Sequence, residues 1–304
     1  MINPYTYTST SSVPHLLLKE NNKNWLHYDV DFPVAKPTPH QKHNTVLGEY
    51  LQPPGAGIFP LAILVHGWGD RSLMPCRMLA RDLVKNGFAC FILRTIFHTD
   101  RMDEEIKKRQ PRLTGDEWFE GYQTSVIDVR QVVDWASTNK QIDGSRIALI
   151  GVSLGGIIST IAMGIDERIK AGVIMVAGGN YENSNWLKMT DRKLTKEEYL
   201  KREQAYQNYL IEVAQKGFEN VEPSRRSYLT DPVTFAGRLC GKPLLMINAT
   251  LDERIPKRAT IDLWEACGKP QINWIPGTHS TIWLLYPRIR KQVIDFLTST
   301  FKLR

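Results

Sequence analysis

The chain has 304 residues, 42% hydrophobic and 23% charged, which suits one large globular core and excludes a disordered, collagen-like or disulfide-scaffold protein. The formal charge of +7 is scattered, as in Lys107-Lys108-Arg109 and Arg225-Arg226, without the basic and aromatic interleaving of a nucleic-acid module. It reads as a solvated surface, and no nucleic-acid partner is expected.

Residues 1–23 are rich in Ser, Thr and Asn and are expected to form an irregular arm. The first eight residues lack the basic and apolar regions of a signal peptide. Segments 25–32 and 46–51 alternate as strands. A buried strand at 61–66 runs into His66-Gly67-Trp68-Gly69, followed by a helix at 74–86 that Gly87 ends and a strand at 88–93. The charged stretch 94–113 is too long and polar for a simple connection. A helix at 116–138 and a strand at 147–150 follow. The strand leads into Gly151-Val152-Ser153-Leu154-Gly155 and an apolar helix at 156–163. Nineteen residues, 147–165, carry no charge, close to the length of a membrane span. Gly151, Gly155, Gly156 and Gly164 within them favour strand-turn-helix, so no span is expected.

After a strand at 171–176 the chain reads Ala177-Gly178-Gly179-Asn180, with no acid. An insertion at 178–241 follows. Thr195-Lys196-Glu197-Glu198 marks a helix start there, and Tyr199, Tyr206, Tyr209, Leu210 and Val213 recur at helical spacing. This insertion is expected to be helical. A strand at 243–248 then reaches an acid-bearing turn at 249–256. A helix at 257–267, a strand at 271–276 ending in Gly277-Thr278-His279, and an amphipathic helix at 282–301 close the chain. Pro287 lies near the start of that last helix.

Strand, Gly-x-Ser-x-Gly, helix is the context of a nucleophile elbow, in which a tight turn lifts the serine oxygen clear of the sheet. Ser153, Asp252 and His279 each follow a predicted strand, in the order nucleophile, acid, base. Glu253 competes with Asp252 for the acid. His66 and His98 compete with His279, which alone follows the last strand. The N–H groups of Trp68 and Leu154 are the expected oxyanion donors. His98, Arg101 and Trp283 are candidate substrate contacts, and Tyr286 lies near them in the chain. Cys76, Cys90, Cys240 and Cys267 are far apart and lack metal-ligand spacing, so they are expected as buried free thiols in a reducing cytoplasm.

Together, the His-Gly-Trp-Gly loop, Gly-Val-Ser-Leu-Gly-Gly, the Asp-Glu-Arg-Ile-Pro turn and Gly-Thr-His resemble the α/β-hydrolase superfamily across residues 44–302. Segments 128–136 and 166–171 are similar to its esterase, dienelactone-hydrolase and prolyl-oligopeptidase-like branch. Ala249 departs from it, since these relatives usually carry glycine before the acid turn. The resemblance implies an α/β-hydrolase fold, a mostly parallel sheet of about eight strands flanked by helices, with the insertion at 178–241 as a helical lid. Because the candidate site residues are spread from His66 to His279, 1–304 is expected to be one α/β domain. It also implies a serine hydrolase that forms an acyl-enzyme on carboxylic esters of small to moderate size. No metal and no organic cofactor are expected, and the expected partner is a small-molecule ester. A serine peptidase acting on short peptides, or a non-catalytic ligand-binding homologue, are the alternatives.

Overall fold

A computed structural model describes residues 3–9, 13–109, 112–183 and 194–303. Its strands are β1 (His15–Asn21), β2 (Leu26–Pro33), β3 (Thr45–Gln52), β4 (Phe59–Val65), β5 (Ala89–Arg94), β6 (Ile142–Val152), β7 (Ile169–Met175), β8 (Leu244–Ala249) and β9 (Gln271–Ile275). They form one sheet in the order β1-β2-β3-β5-β4-β6-β7-β8-β9. The first three are antiparallel meanders, β3 pairs antiparallel with β5, and every pairing from β5 to β9 is parallel. The chain is an α/β-hydrolase fold. Its central strands are near-continuous apolar runs because helices cover both faces of the sheet.

The ninth strand corrects the expectation of an irregular arm over 1–23. Residues 15–21 form β1, which pairs with β2 through a register shift between Leu18 and Glu20. Six of its seven residues are exposed and the seventh half-buried, so burial imposed no period-two pattern. Its strand geometry comes from pairing with β2. Positions 1, 2 and 10–12 of the arm lie outside the described residues.

The helices are α1 (Met74–Val84), α2 (Glu104–Arg109), α3 (Gly115–Thr138), α4 (Leu154–Ile165), α5 (Lys196–Lys216), α6 (Val233–Ala236), α7 (Lys257–Ala266) and α8 (Tyr286–Thr300). Residues of α3, α4 and α7 fill the core on one face of the sheet, and those of α1 and α8 fill it on the other. Both α3 and α5 begin with a reciprocal capping box, Thr114 with Glu117 and Thr195 with Glu198, which satisfies two orphan N–H donors at each start. None of the described helices is long and apolar enough to cross a membrane. Cys76, Cys90 and Cys267 are buried free thiols, and burial pushes the Cys267 thiol up to about 12. Cys240 is free but exposed, contrary to expectation, because it caps a turn at the end of the insertion.

Ion pairs and hydrogen bonds fasten the described parts of the insertion, 178–183 and 194–241. Residues 184–193 of the expected lid lie outside the described residues. The buried carboxylate of Glu182 takes a bidentate pair from Arg202 of α5 at 2.6 and 3.0 Å. Tyr206 and Tyr209 of α5 pack on Tyr228 and Val221, on the helical period that the sequence shows. Asp231, 1% exposed, accepts the N–H groups of Asn180, Tyr181 and Val233 at 2.9, 2.6 and 3.0 Å.

Burial outweighs those three donors and pushes the Asp231 carboxyl up to about 6 from the ordinary 3.8. The folded state therefore holds this proton more tightly than the unfolded chain. The stabilisation is complete below about pH 4 and is lost as pH rises through about 6. Asp231→Asn removes the titration. Its melting temperature relative to the parent should therefore rise between pH 4 and pH 7. A calorimetric difference that stays constant over that range would refute this.

Candidate active site

Ser153 is the single residue between the end of β6 and the start of α4. Its backbone sits at φ 53°, ψ −118°, a strained conformation for a side chain with a Cβ. The turn is held from three sides. Ser153 N–H donates to Met175 O of β7 at 2.8 Å, and its carbonyl accepts from Gly156 and Ile157 at 2.8 and 3.2 Å. A Cβ on Gly151 would strike the Gly155 carbonyl, and one on Gly155 would strike the carbonyls of Val65 and His66. The glycines thus let the elbow close on itself and let α4 rest against the end of β4. A Cβ on Gly67 would lie 3.2 Å from that of Ser153, which shows how near the loop after β4 passes to the serine.

The structure brings the three residues of the expected order together. His279 Nε2 lies 2.9 Å from Ser153 Oγ. His279 Nδ1 lies 3.0 and 2.9 Å from the two carboxylate oxygens of Asp252. Both the imidazole and the carboxylate are over nine-tenths buried. With an acceptor-only carboxylate on Nδ1, the proton belongs on Nδ1, and Nε2 is left to accept from the serine hydroxyl.

The Asp252 turn is set by its own backbone. Asp252 Oδ1 accepts from the N–H groups of Arg254 and Ile255, each at 2.9 Å. Thr250 N–H donates to Ile275 O and Leu251 N–H to Gly277 O, both at 3.0 Å, which ties this turn to the histidine loop. Ala249 ends β8 in regular strand geometry, so the usual glycine is not required there. Glu253 does not touch the imidazole. Its Oε2 accepts the backbone N–H of His279 at 3.0 Å, and this bond holds its carboxyl below the usual range. Consecutive acids therefore hold one histidine, Asp252 at the ring and Glu253 at the main chain. The second contact had no signature in the sequence.

Leu154, as the first residue of α4, has no carbonyl of its own helix to bond, so its N–H is an orphan donor at the positive end of the helix dipole. Trp68 follows Gly67 in the loop beside Ser153. His66 supports that loop and is not a base. Its Nδ1 lies 2.8 Å from Gly67 O, and its Nε2 accepts from Thr95 N–H at 3.2 Å. Burial lowers its pKa to about 4, so it is neutral.

Two of the expected substrate contacts, Arg101 and His98, are engaged inside the protein. Arg101 is fully buried and pairs with Asp128 of α3 at 2.6 Å, and it also donates to the carbonyls of Arg94 and His43. It is a structural cation within the core. A buried acid on α3, 27 residues away, captured it, and no local pattern announces such a pair. His98 is likewise buried: Nδ1 accepts from Asp100 N–H at 3.3 Å and Nε2 lies 3.2 Å from Arg71 O. Its two ring nitrogens are thus engaged by two loops, Nδ1 by its own after β5 and Nε2 by the one after β4. Trp283 is half-buried in the turn after His279 and packs on the core shared by α1 and α8. Tyr286 OH donates to Asp82 of α1 at 2.5 Å, on that same side.

One group beside the site escaped the sequence reading. Trp68 stacks on Trp118 of α3, with centroids 4.7 Å apart and planes at 30°. Phe97 and Tyr122 adjoin the pair. The one available signal was the four-residue spacing of Trp118 and Tyr122, which places them on one side of the helix at 116–138.

Residues 118–275, about half of the chain, match the prolyl oligopeptidase family. The Bacillus subtilis protein named "Putative esterase YitV" is 28% identical over 122 residues, which is 40% of this chain and 46% of that protein. The matched segments span 34% to 46% of the length of the curated relatives. A cold-adapted esterase from an Arctic intertidal metagenomic library superposes over 91% of this chain and 96% of its own, with a TM-score of 0.57 at 16% identity. The acetyl xylan esterase from Paenibacillus sp. R4 covers 93% of this chain and 87% of its own, with a TM-score of 0.59 at 17% identity. At such identities these two likenesses establish the fold alone.

Proposed function

The chain belongs to the prolyl oligopeptidase family, and from that membership we propose that it is a serine hydrolase cleaving carboxylic esters of small to moderate size. The observation that carries this reading is the continuous hydrogen-bond path from Ser153 Oγ through His279 to Asp252. In the proposed cycle His279 Nε2 takes the hydroxyl proton as Ser153 Oγ attacks the ester carbonyl carbon. Asp252 holds the tautomer and stabilises the imidazolium. The main-chain N–H groups of Trp68 and Leu154 receive the negative charge on the carbonyl oxygen, and losing one such donor costs about 3–4 kcal/mol of barrier. His279 then protonates the departing alkoxide, leaving an acyl-serine. Water, deprotonated by the same imidazole, hydrolyses it and restores Ser153. No step calls for a metal or an organic cofactor. The insertion at 178–241 is assigned the part of a lid, and the free thiols fit a cytoplasmic setting.

A fluorophosphonate probe tests the mechanism. Mass spectrometry should find the adduct on the Ser153 peptide, and His279→Ala should abolish labelling in folded protein. Catalytically active protein with Ser153 unmodified would reject the assignment. The family match favours a second reading, a serine peptidase acting on short peptides. A kcat/KM comparison of an ester with its matched amide separates the two, with the ester expected to win.

A further inference from the structure

The aromatic group beside Ser153 is continuous and larger than the Trp68–Trp118 pair. β4 and β7 are the two hydrogen-bonded neighbours of β6, the strand that ends at Ser153. Trp68 follows β4 by three residues, and Tyr181 follows β7 by six. The two therefore flank the serine, one from each side, above the carboxyl edge of the sheet. Between them runs an unbroken chain of rings. Trp68 meets Trp118 at 4.7 Å and Phe97 at 5.3 Å between centroids. Phe97 lies 6.1 Å from Tyr122, and Trp118 lies 6.3 Å from it. Tyr122 OH then reaches Tyr181 OH at 3.3 Å.

Phe97 and Tyr122 are buried and back the arc, while Trp68, Trp118 and Tyr181 are only half-buried. Half-open indoles beside a nucleophile are unlike scattered surface hydrophobics. Ligand pockets are lined largely by aromatic and apolar walls, and Trp68 and Trp118 form such a wall here. The rings carry no fixed charge, and Arg101, the cation expected nearby, is spent on Asp128 inside the core. A flat, neutral ring fits such a wall, stacking or meeting it edge-on.

Resting on the ester-hydrolase reading, we propose that Trp68 and Trp118 form a subsite for an uncharged aromatic ring carried by the substrate. The ring belongs to the acyl or the alcohol part of the ester, and paired substrates distinguish the two. Ethyl phenylacetate against ethyl butyrate places it on the acyl side, and benzyl acetate against butyl acetate places it on the alcohol side. One ring ester should exceed its alkyl counterpart about tenfold in kcat/KM, chiefly through KM. Trp118→Ala should erase that ratio and Trp118→Phe should keep most of it. Equal kcat/KM within both pairs would overturn the subsite, as would a Trp118→Ala loss shared equally by all four esters.

Binding without turnover keeps this test apart from the mechanism. Folded Ser153→Ala protein should bind benzyl acetate or ethyl phenylacetate with saturable tryptophan quenching that Trp118→Ala removes. If that binding is seen but native protein hydrolyses no ester, the hydrolase reading fails and the ring subsite stands. If Ser153 is labelled and esters turn over without such binding, the subsite fails alone.

Discussion

Replacing Ser153 with alanine is expected to lower kcat on any ester substrate by about a million-fold, since a hydrolase of this type without its nucleophile retains only the catalysis of its oxyanion donors and binding contacts. Glycine at the same position should be equally inactive but more stable. Ser153 is held at φ 53°, ψ −118°. Such a conformation costs a residue with a Cβ on the order of 1–3 kcal/mol, and glycine is largely relieved of it. Steady-state assays and calorimetry on the three proteins check both halves. An active alanine variant would overthrow the nucleophile assignment. A glycine variant that melts no higher than the alanine variant would show that the strain is not stored at Ser153.

Gly155→Ala should yield little soluble protein and destabilise what remains by more than about 4 kcal/mol, in the range of exceptional single-residue effects. The added methyl would overlap the main-chain carbonyl oxygens of Val65 and His66. No rotamer change relieves a clash with backbone. The alternatives are to push α4 off β4, which opens the core, or to shift the loop that carries Trp68. Gly237→Ala is the control, because nothing lies within 4 Å of its added Cβ. Circular dichroism melts and soluble yield compare the two. Equal stability would mean that the elbow does not press on β4 as described.

Much of the fold was legible in the chain because its central strands are apolar runs separated by turn residues. The strand ends, the elbow and the helix start at Thr195 sit within a few residues of where the pattern places them. Burial on both sheet faces writes this pattern directly into the residues. β1 carried no such imprint, since an exposed edge strand needs only main-chain partners. Among the site candidates, Ser153, Asp252 and His279 shared a legible feature, a position just past a strand. His98 and Arg101 lay in an equally plausible loop, after β5, yet both turned into the protein.

By itself, the sequence determined the order of the central strands, the glycine-lined turn at Ser153, and that Ser153, Asp252 and His279 each follow a strand end. These depend on contacts within about ten residues, where chain geometry and hydrophobic period act directly. The tertiary structure alone decided that Arg101 pairs with Asp128, that Glu253 holds the main chain of His279, and that Trp68 meets Trp118. Each of these joins residues 26 to 50 positions apart. Contacts between residues so far apart in the chain are set by burial and charge pairing across the packed core, which leave no local pattern in the sequence.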